Sequence, residues 1–161
     1  MEILSPAGDF ESLKTALKCG ADAIYIGGES FSARKNAKNF SNEEIIEALD
    51  LCHLYQAKLY VACNILIKEN EFLPAVEYLK FLINAGVDGV IIQDLGLMSV
   101  IRELSRDVKI NVSTQATVSS SDAANEFKKL GANRVVLARE LSKTEIKNKW
   151  EVGRSHENLH C

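Results

Sequence analysis

Cys19-Gly20-Ala21-Asp22-Ala23-Ile24-Tyr25-Ile26 is the stretch on which the fold turns, because it returns twice in altered spelling. The second copy is Ala85-Gly86-Val87-Asp88-Gly89-Val90-Ile91-Ile92, and the third is Leu130-Gly131-Ala132-Asn133-Arg134-Val135-Val136-Leu137. Each copy follows an amphipathic stretch and leads into a short, mostly β-branched apolar run. A glycine at the end of a helix takes the left-handed conformation in which a Cβ would clash. The Asp or Asn two residues later suits a tight turn. The run that follows is apolar at both parities, which fits a strand covered on both faces. Helix, turn and buried strand together make the basic joint of α/β folds.

Working outward from the three joints gives a full alternation. Strands are expected at Glu2–Leu4, Ala23–Ile26, Lys58–Ala62, Gly89–Ile92, Lys109–Val112 and Arg134–Leu137. Helices are expected near Phe10–Lys18, Asn42–Tyr55, Phe72–Asn84, Leu97–Leu104, Asp122–Leu130 and Lys143–Lys149. Ser41 followed three residues on by Glu44 spells a capping box. Ile45, Ala48, Leu49 and Cys52 form one apolar helical stripe, and Val76, Leu79, Phe81 and Leu82 form another. The first strand leads into Ser5-Pro6-Ala7-Gly8-Asp9 rather than the GxGxxG of a dinucleotide fold. Six βα units in a row favour an α/β, parallel TIM-type (β/α)₈ barrel. Six of eight units are present, in an incomplete barrel domain over residues 1–150, followed by an unpatterned tail over 151–161. Closure would need about 60 to 90 further residues. The open strand edges are therefore expected to make the isolated chain poorly soluble or self-associating.

Composition narrows the setting. The 161 residues are 47% hydrophobic and 25% charged, as in an ordinary globular protein. A net charge of −3 gives this segment no electrostatic drive toward nucleic acid, although a local basic patch stays open. Cys19, Cys52, Cys63 and Cys161 form no CxxC pair and no disulfide framework, which points to a reducing, cytoplasmic compartment. The beginning of the chain has no signal-peptide pattern, and no apolar stretch approaches the roughly 20 residues of a membrane span.

In a parallel barrel the chemistry sits at the carboxyl ends of the strands. Those positions hold Ser5 and Pro6, Gly27-Gly28-Glu29, Asn64, Gln93-Asp94, Ser113-Thr114-Gln115 and Ala138-Arg139-Glu140. Plainer roles compete: Asn64, Asp94 and Ser113 could each cap the next helix, and Arg139 with Glu140 could be a surface ion pair. Gln115 is harder to explain as a cap. The connection from Glu29 to Phe40 exceeds the usual two to six residues. Its Arg34, Lys35 and Lys38 would suit a phosphate or carboxylate, or simply a solvated basic loop. His53 falls within a helix, while His156, His160 and Cys161 fall in the tail and carry no metal pattern. Cys63 ends the third strand and reads either as facing the site or, more commonly, as a buried inert thiol. No Ser-His-Asp, Cys-His or HExxH constellation is present.

The chain resembles the collagenase-like peptidase family, the U32 peptidases. The matching phrases are Leu4-Ser5-Pro6-Ala7-Gly8, Gly20-Ala21-Asp22-Ala23-Ile24-Tyr25-Ile26-Gly27-Gly28, Phe31-Ser32-Ala33-Arg34 and Asn39-Phe40-Ser41. Asn64-Ile65-Leu66, Ser113-Thr114-Gln115-Ala116 and Val136-Leu137-Ala138-Arg139-Glu140-Leu141 also match, so the resemblance runs over roughly 1–149. The resemblance implies peptidase activity by the family's name. It also implies hydroxylation of a tRNA wobble uridine, of ribosomal RNA or of ubiquinone precursors, as in better-understood members. Some members carry an iron–sulfur cluster on cysteines. The cysteine-rich segment of the family would follow the sixth βα unit, so the ligands of such a cluster are absent here and the cofactor stays open. The expectation is an amino-terminal fragment of an RNA-hydroxylating enzyme, inactive alone, with tRNA or another RNA as partner and no membrane. A peptidase and a non-catalytic partner subunit are the alternatives. Gln115, Arg139 and Glu140 are the catalytic candidates, and Arg34, Lys35, Asn64 and Ser113 the substrate-binding ones; no metal ligand is assigned.

Overall fold

The computed structural model describes residues 2–33 and 39–147. Their order is β1 (Leu4–Pro6), α1 (Phe10–Lys18), β2 (Ala23–Gly27), α2 (Asn42–Leu54), β3 (Lys58–Cys63), α3 (Glu69–Ala85), β4 (Gly89–Ile92), α4 (Leu95–Leu104), β5 (Lys109–Val112), α5 (Ser121–Lys129) and β6 (Arg134–Val135). A single 3₁₀ turn over Thr114–Ala116 separates β5 from α5, and residues 143–147 form a further helical turn. Arg34, Lys35, Lys38 and the tail over 151–161 lie outside the described residues. No helix among those described is long and apolar enough to cross a membrane.

All pairings are parallel and the spatial order of the strands is β1-β2-β3-β4-β5-β6, the order of the chain. A doubly wound sheet reverses its order at a switch point. Without a reversal, right-handed crossovers put every helix on one face, and the sheet must curl around the other. The curl is measurable. Laid flat, β1 and β6 would stand roughly 24 Å apart at the usual strand spacing. Yet the Arg134 guanidinium on β6 lies 2.8 Å from the carboxylate of Glu2, just ahead of β1. Six strands thus form a curled half-barrel.

The two faces differ as this geometry requires. Ile24, Ile26, Leu59, Val61, Val90, Ile92, Ile110, Val112 and Val135 are all buried toward the helices and pack with Leu13, Ile45, Leu79, Leu82, Met98 and Ile101. The alternate positions face the lumen in layers, one of them Tyr25, Tyr60, Gly89 and Lys109. Gly89 is required there: a Cβ would lie 2.6 Å from the Lys109 carbonyl and 3.1 Å from the Tyr60 ring.

The repeated phrase behaves as one joint. Gly20, Gly86 and Gly131 have φ of 85°, 90° and 94°. Past each, the next amide closes the helix end: Ala21 to Ala16, Val87 to Leu82 and Ala132 to Phe127, at 3.1, 3.2 and 3.0 Å. The Asp or Asn does more than turn the chain. Asp22 accepts the Ile3 N–H at 2.7 Å, Asp88 the Leu59 N–H at 2.8 Å, and Asn133 the Ile110 N–H at 2.9 Å. In all three copies the side chain staples the incoming strand to the amino end of the strand before it. The joint from α2 to β3 has the same closing bond, Ala57 to Cys52 at 2.9 Å, but Gln56 holds the left-handed position at φ 58°.

Several expected bounds move. The first strand lies at Leu4–Pro6 rather than Glu2–Leu4, because the Asp22 staple and the bond from the Asp22 N–H to the Ile3 carbonyl hold Ile3 just ahead of the ladder. Ser5 and Pro6 are therefore inside β1. Pro6 is tolerated because β1 pairs only with β2 among the described residues, leaving its missing N–H without a ladder to break. The last strand ends at Val135, on the other edge, although the Val136 N–H still reaches the Val112 carbonyl at 2.9 Å. Helix α3 begins at Glu69 and runs through Pro74, with Glu71 folded back on the Lys68 N–H at 3.0 Å. The capping box of Ser41 and Glu44 forms as expected, with bonds of 3.2 and 2.8 Å.

Candidate functional site

The long connection after β2 is closed at its base. Gly28 and Phe40 form a parallel bridge, with the Phe40 N–H on the Gly27 carbonyl at 2.9 Å and the Glu29 N–H on the Phe40 carbonyl at 3.2 Å. Close approach explains the Gly27-Gly28 pair: a Cβ at Gly27 would lie 2.5 Å from the Ser32 hydroxyl, and one at Gly28 would run into the Tyr78 hydroxyl. Phe31 takes a left-handed backbone at φ 60° and packs its ring 5.9 Å from that of Tyr78. An aromatic residue in that region is strained, so packing holds it there.

From this base a polar brace crosses the strand ends. The Ala33 N–H donates to Asn64 Oδ1 at 3.2 Å, Asn64 Nδ2 donates to Ser113 Oγ at 3.1 Å, and the Gln115 N–H donates to Ser113 Oγ at 3.2 Å. Ser113 is 2% exposed and its own N–H is held by the Ile92 carbonyl at 2.7 Å. Three candidates, Asn64, Ser113 and Gln115, are thus brought together around the ends of β3, β4 and β5. Of the three residues that could have been caps, Asp94 caps α4 through the Leu97 N–H at 2.9 Å and Ser113 caps the 3₁₀ turn. Asn64 does not cap α3, whose N-cap is Lys68, and serves as the brace.

Beside the brace lies an open cleft of about 350 Å³, lined by Ile65, Leu66, Gln93, Leu95 and Gln115 among others. Gln93 is half-buried and Gln115 exposed, and the side chain of neither is bonded by a described residue. Gln93 stands among the strand-end positions of the sequence but receives no assigned role there. The available signal was its place one residue past β4, where a glutamine has no capping role to explain it. Arg139 and Glu140 sit exposed in the turn after β6 and form no ion pair among the described residues. They do not join the brace. Arg34 and Lys35 fall outside the described residues.

Two of the thiols, Cys52 and Cys63, are buried. Cys63 shares the helix-facing side of β3 with Val61, and burial pushes it up to about 12. Burial, with a smaller contribution from Asp88, also pushes Cys52 up to about 12. Among the described residues no three His, Cys, Asp or Glu side chains could hold a metal ion, so they do not fit an iron–sulfur cluster.

The opposite end of the lumen is a polar cavity of about 420 Å³, lined by Glu2, Lys58, Tyr60, Lys109 and Arg134 among others. Glu2 accepts from Lys58 at 2.9 Å, from Arg134 at 2.8 Å and from the Tyr60 hydroxyl at 3.2 Å. Burial pulls the Glu2 carboxyl up, but the Lys58 and Arg134 cations outweigh it and hold it below the usual carboxylate range.

A sequentially ordered parallel half-barrel, with charge at the amino ends of its strands and open carboxamides at the carboxyl ends, is the scaffold of a βα-barrel protein. The chain belongs to Peptidase family U32, whose family model matches residues 8–154. It is 42% identical over 151 residues to tRNA hydroxylation protein P1 of Bacillus subtilis, covering 93% of this chain and 36% of that protein. It is 42% identical over 147 residues to uncharacterized protease MJ0090 of Methanocaldococcus jannaschii, covering 91% and 35%. It is 37% identical over 148 residues to the 23S rRNA 5-hydroxycytidine C2501 synthase of Escherichia coli, covering 91% and 22%. The chain therefore spans about a third or less of these relatives. The solved U32 peptidase Mk0906 superposes with a TM-score of 0.76 at 19% identity, over 94% of this chain and 64% of that one, which supports the fold.

Proposed function

We propose that the chain is the amino-terminal barrel portion of an RNA-hydroxylating enzyme, with the substrate base received at the carboxyl ends of β3 to β5. The observation that carries this reading is its similarity, over about nine-tenths of its length, to relatives named for hydroxylation of tRNA and of a ribosomal cytidine. Gln115, Arg139 and Glu140 act at the base, Asn64 and Ser113 hold the strand ends in register, and Arg34 and Lys35 contact phosphate. The chemistry belongs to the whole protein, of which this chain is part.

The test is nucleoside mass spectrometry on tRNA and rRNA from cells in which the gene is deleted. A hydroxylated pyrimidine nucleoside should disappear, return with the wild-type gene, and fail to return with Gln115→Ala or Arg34→Ala. An unchanged nucleoside profile on deletion overturns the proposal. The protease-named relative favours peptide hydrolysis as a second reading. The buried Ser113 hydroxyl is committed to Asn64 and the Gln115 N–H, and two of the thiols are buried and held protonated. Gelatin cleavage by the purified whole protein, lost on a point substitution at the strand ends, would restore that reading.

A further inference from the structure

Resting on the RNA reading, we infer that the cleft between the ends of β3, β4 and β5 is the seat of a single unstacked pyrimidine base, gripped at its edge by Gln93 and Gln115 and on its faces by Leu66 and Leu95. Size is the first argument. A cleft of about 350 Å³ lies at the small end of ligand sites and admits one nucleoside, not a base pair. Its walls are the second. Leu66 is 84% exposed and Leu95 52% exposed, large apolar side chains left in water beside the strand ends. Enzymes that act on a base take it out of the stack and hold it between aromatic or apolar side chains.

Charge is the third argument. Among the described lining residues Asp94 alone is ionisable, and its carboxylate is taken by the Leu97 N–H at 2.9 Å. With no cation among the described lining residues, those residues suit a neutral group, a base rather than a phosphate. The fourth is the pair of carboxamides that no described residue bonds. Each offers a donor and an acceptor side by side, the pattern that complements the edge of a pyrimidine. A carboxamide turned by half a rotation exchanges the two, so either uracil or cytosine can be held. The Asn64–Ser113 brace sets the Gln115 backbone through its N–H at 3.2 Å, while Gln93 extends directly from β4. Gln93 thus stands one residue past β4, and Gln115 in the braced 3₁₀ turn after β5.

The experiment uses the full-length protein that carries this chain and a target RNA bearing 4-thiouridine at the hydroxylated position. Irradiation followed by peptide mass mapping should place the cross-link on residues 65–66, 93–96 or 115–116. Gln93→Met and Gln115→Met keep the length of each side chain but remove its donor and acceptor without adding charge. Each should raise KM for the RNA on the order of 10-fold while leaving the thermal midpoint unchanged. A cross-link on other strand ends, or unchanged KM in both variants, overturns the subsite while leaving the RNA reading intact. A wild-type protein that neither binds nor modifies RNA defeats the RNA reading and the subsite with it.

Discussion

If the Asp or Asn of the repeated phrase is a staple, truncating the three copies should cost in the order of the burial and number of the donors each holds, not equally. Asp22 holds an exposed N–H, so in Asp22→Ala water replaces the carboxylate at a cost below about 1 kcal/mol. Asp88→Ala leaves the partly buried Leu59 N–H without a partner, which costs about 1–3 kcal/mol. The His53 contact of Asp88, at 3.0 Å but half exposed, adds little. Asn133 holds two donors, the Ile110 N–H at 2.9 Å and the Arg102 guanidinium at 2.6 Å. Asn133→Ala therefore strips a charged donor as well as a backbone one and should cost about 2–4 kcal/mol. For a chain of this size each kcal/mol lowers the thermal midpoint by about 2–4 °C. Because the third copy works with a carboxamide, Asp88→Asn should retain most of the staple and cost under about 1 kcal/mol. Urea unfolding of the four variants against wild type measures the series. Equal losses at the three alanines, or an Asp88→Asn loss matching Asp88→Ala, would refute the staple and return these residues to a simple turn role.

Three further outcomes follow from single sites. Gln56→Gly should stabilise the protein by up to about 1 kcal/mol, because only the left-handed backbone at φ 58° is at stake there; a loss of stability in urea would mean that the Gln56 side chain packs. Tyr78→Phe should be neutral or mildly stabilising, since the buried hydroxyl has no hydrogen-bond partner among the described residues, and a clear fall in thermal midpoint would show that it has one. Glu2 is held below its ordinary value of 4.5, so the unfolded chain binds its proton first as pH falls. Its stabilisation is present in full above about pH 4.5 and is lost through the lower folded value, so Glu2→Gln should flatten the acid limb of a stability–pH profile; an unchanged slope would count against the cluster.

The parts of the fold that were legible are those written in local grammar. Gly20, Gly86 and Gly131 announce left-handed helix ends, Ser41 with Glu44 announces a start, and the β-branched runs announce buried strands. Gln56 was not legible as a left-handed position because its side chain can occupy that backbone only at a cost that the surrounding joint offsets. The start of β1 was missed because Ile3, Leu4 and Ala7 carry no period, and the register is set from a distance by Asp22. Nor could the sequence show that Asn64 binds Ser113, since a lone strand-end polar residue looks the same whether it caps, braces or stays free. Nothing in the sequence marks Arg102 as the side chain that donates to the Gly131 carbonyl at 2.7 Å and to the Val108 carbonyl at 3.0 Å, because those partners lie on other elements.

The lumen divides its polar groups between two uses, and the division bears on where the chemistry sits. At the amino ends of the strands Lys58, Tyr60 and Arg134 all donate to Glu2, tying strands that are remote in the chain. These four are committed, although Lys109 beside them has no described partner: a ligand that took Arg134 would have to compensate a carboxylate left partly buried, at 19% exposure. At the carboxyl ends the commitment stops one step short. Asn64 and Ser113 are spent on each other, but the carboxamides of Gln93 and Gln115 beside them are spent on nothing described. Leaving them in water costs little while the cleft is open, and closing it over a matched base would remove that water and make each hydrogen bond count more. The same six strands therefore tie themselves together through charge at one end and keep neutral bonding capacity in reserve at the other. A substrate is expected at the end where that capacity is unspent.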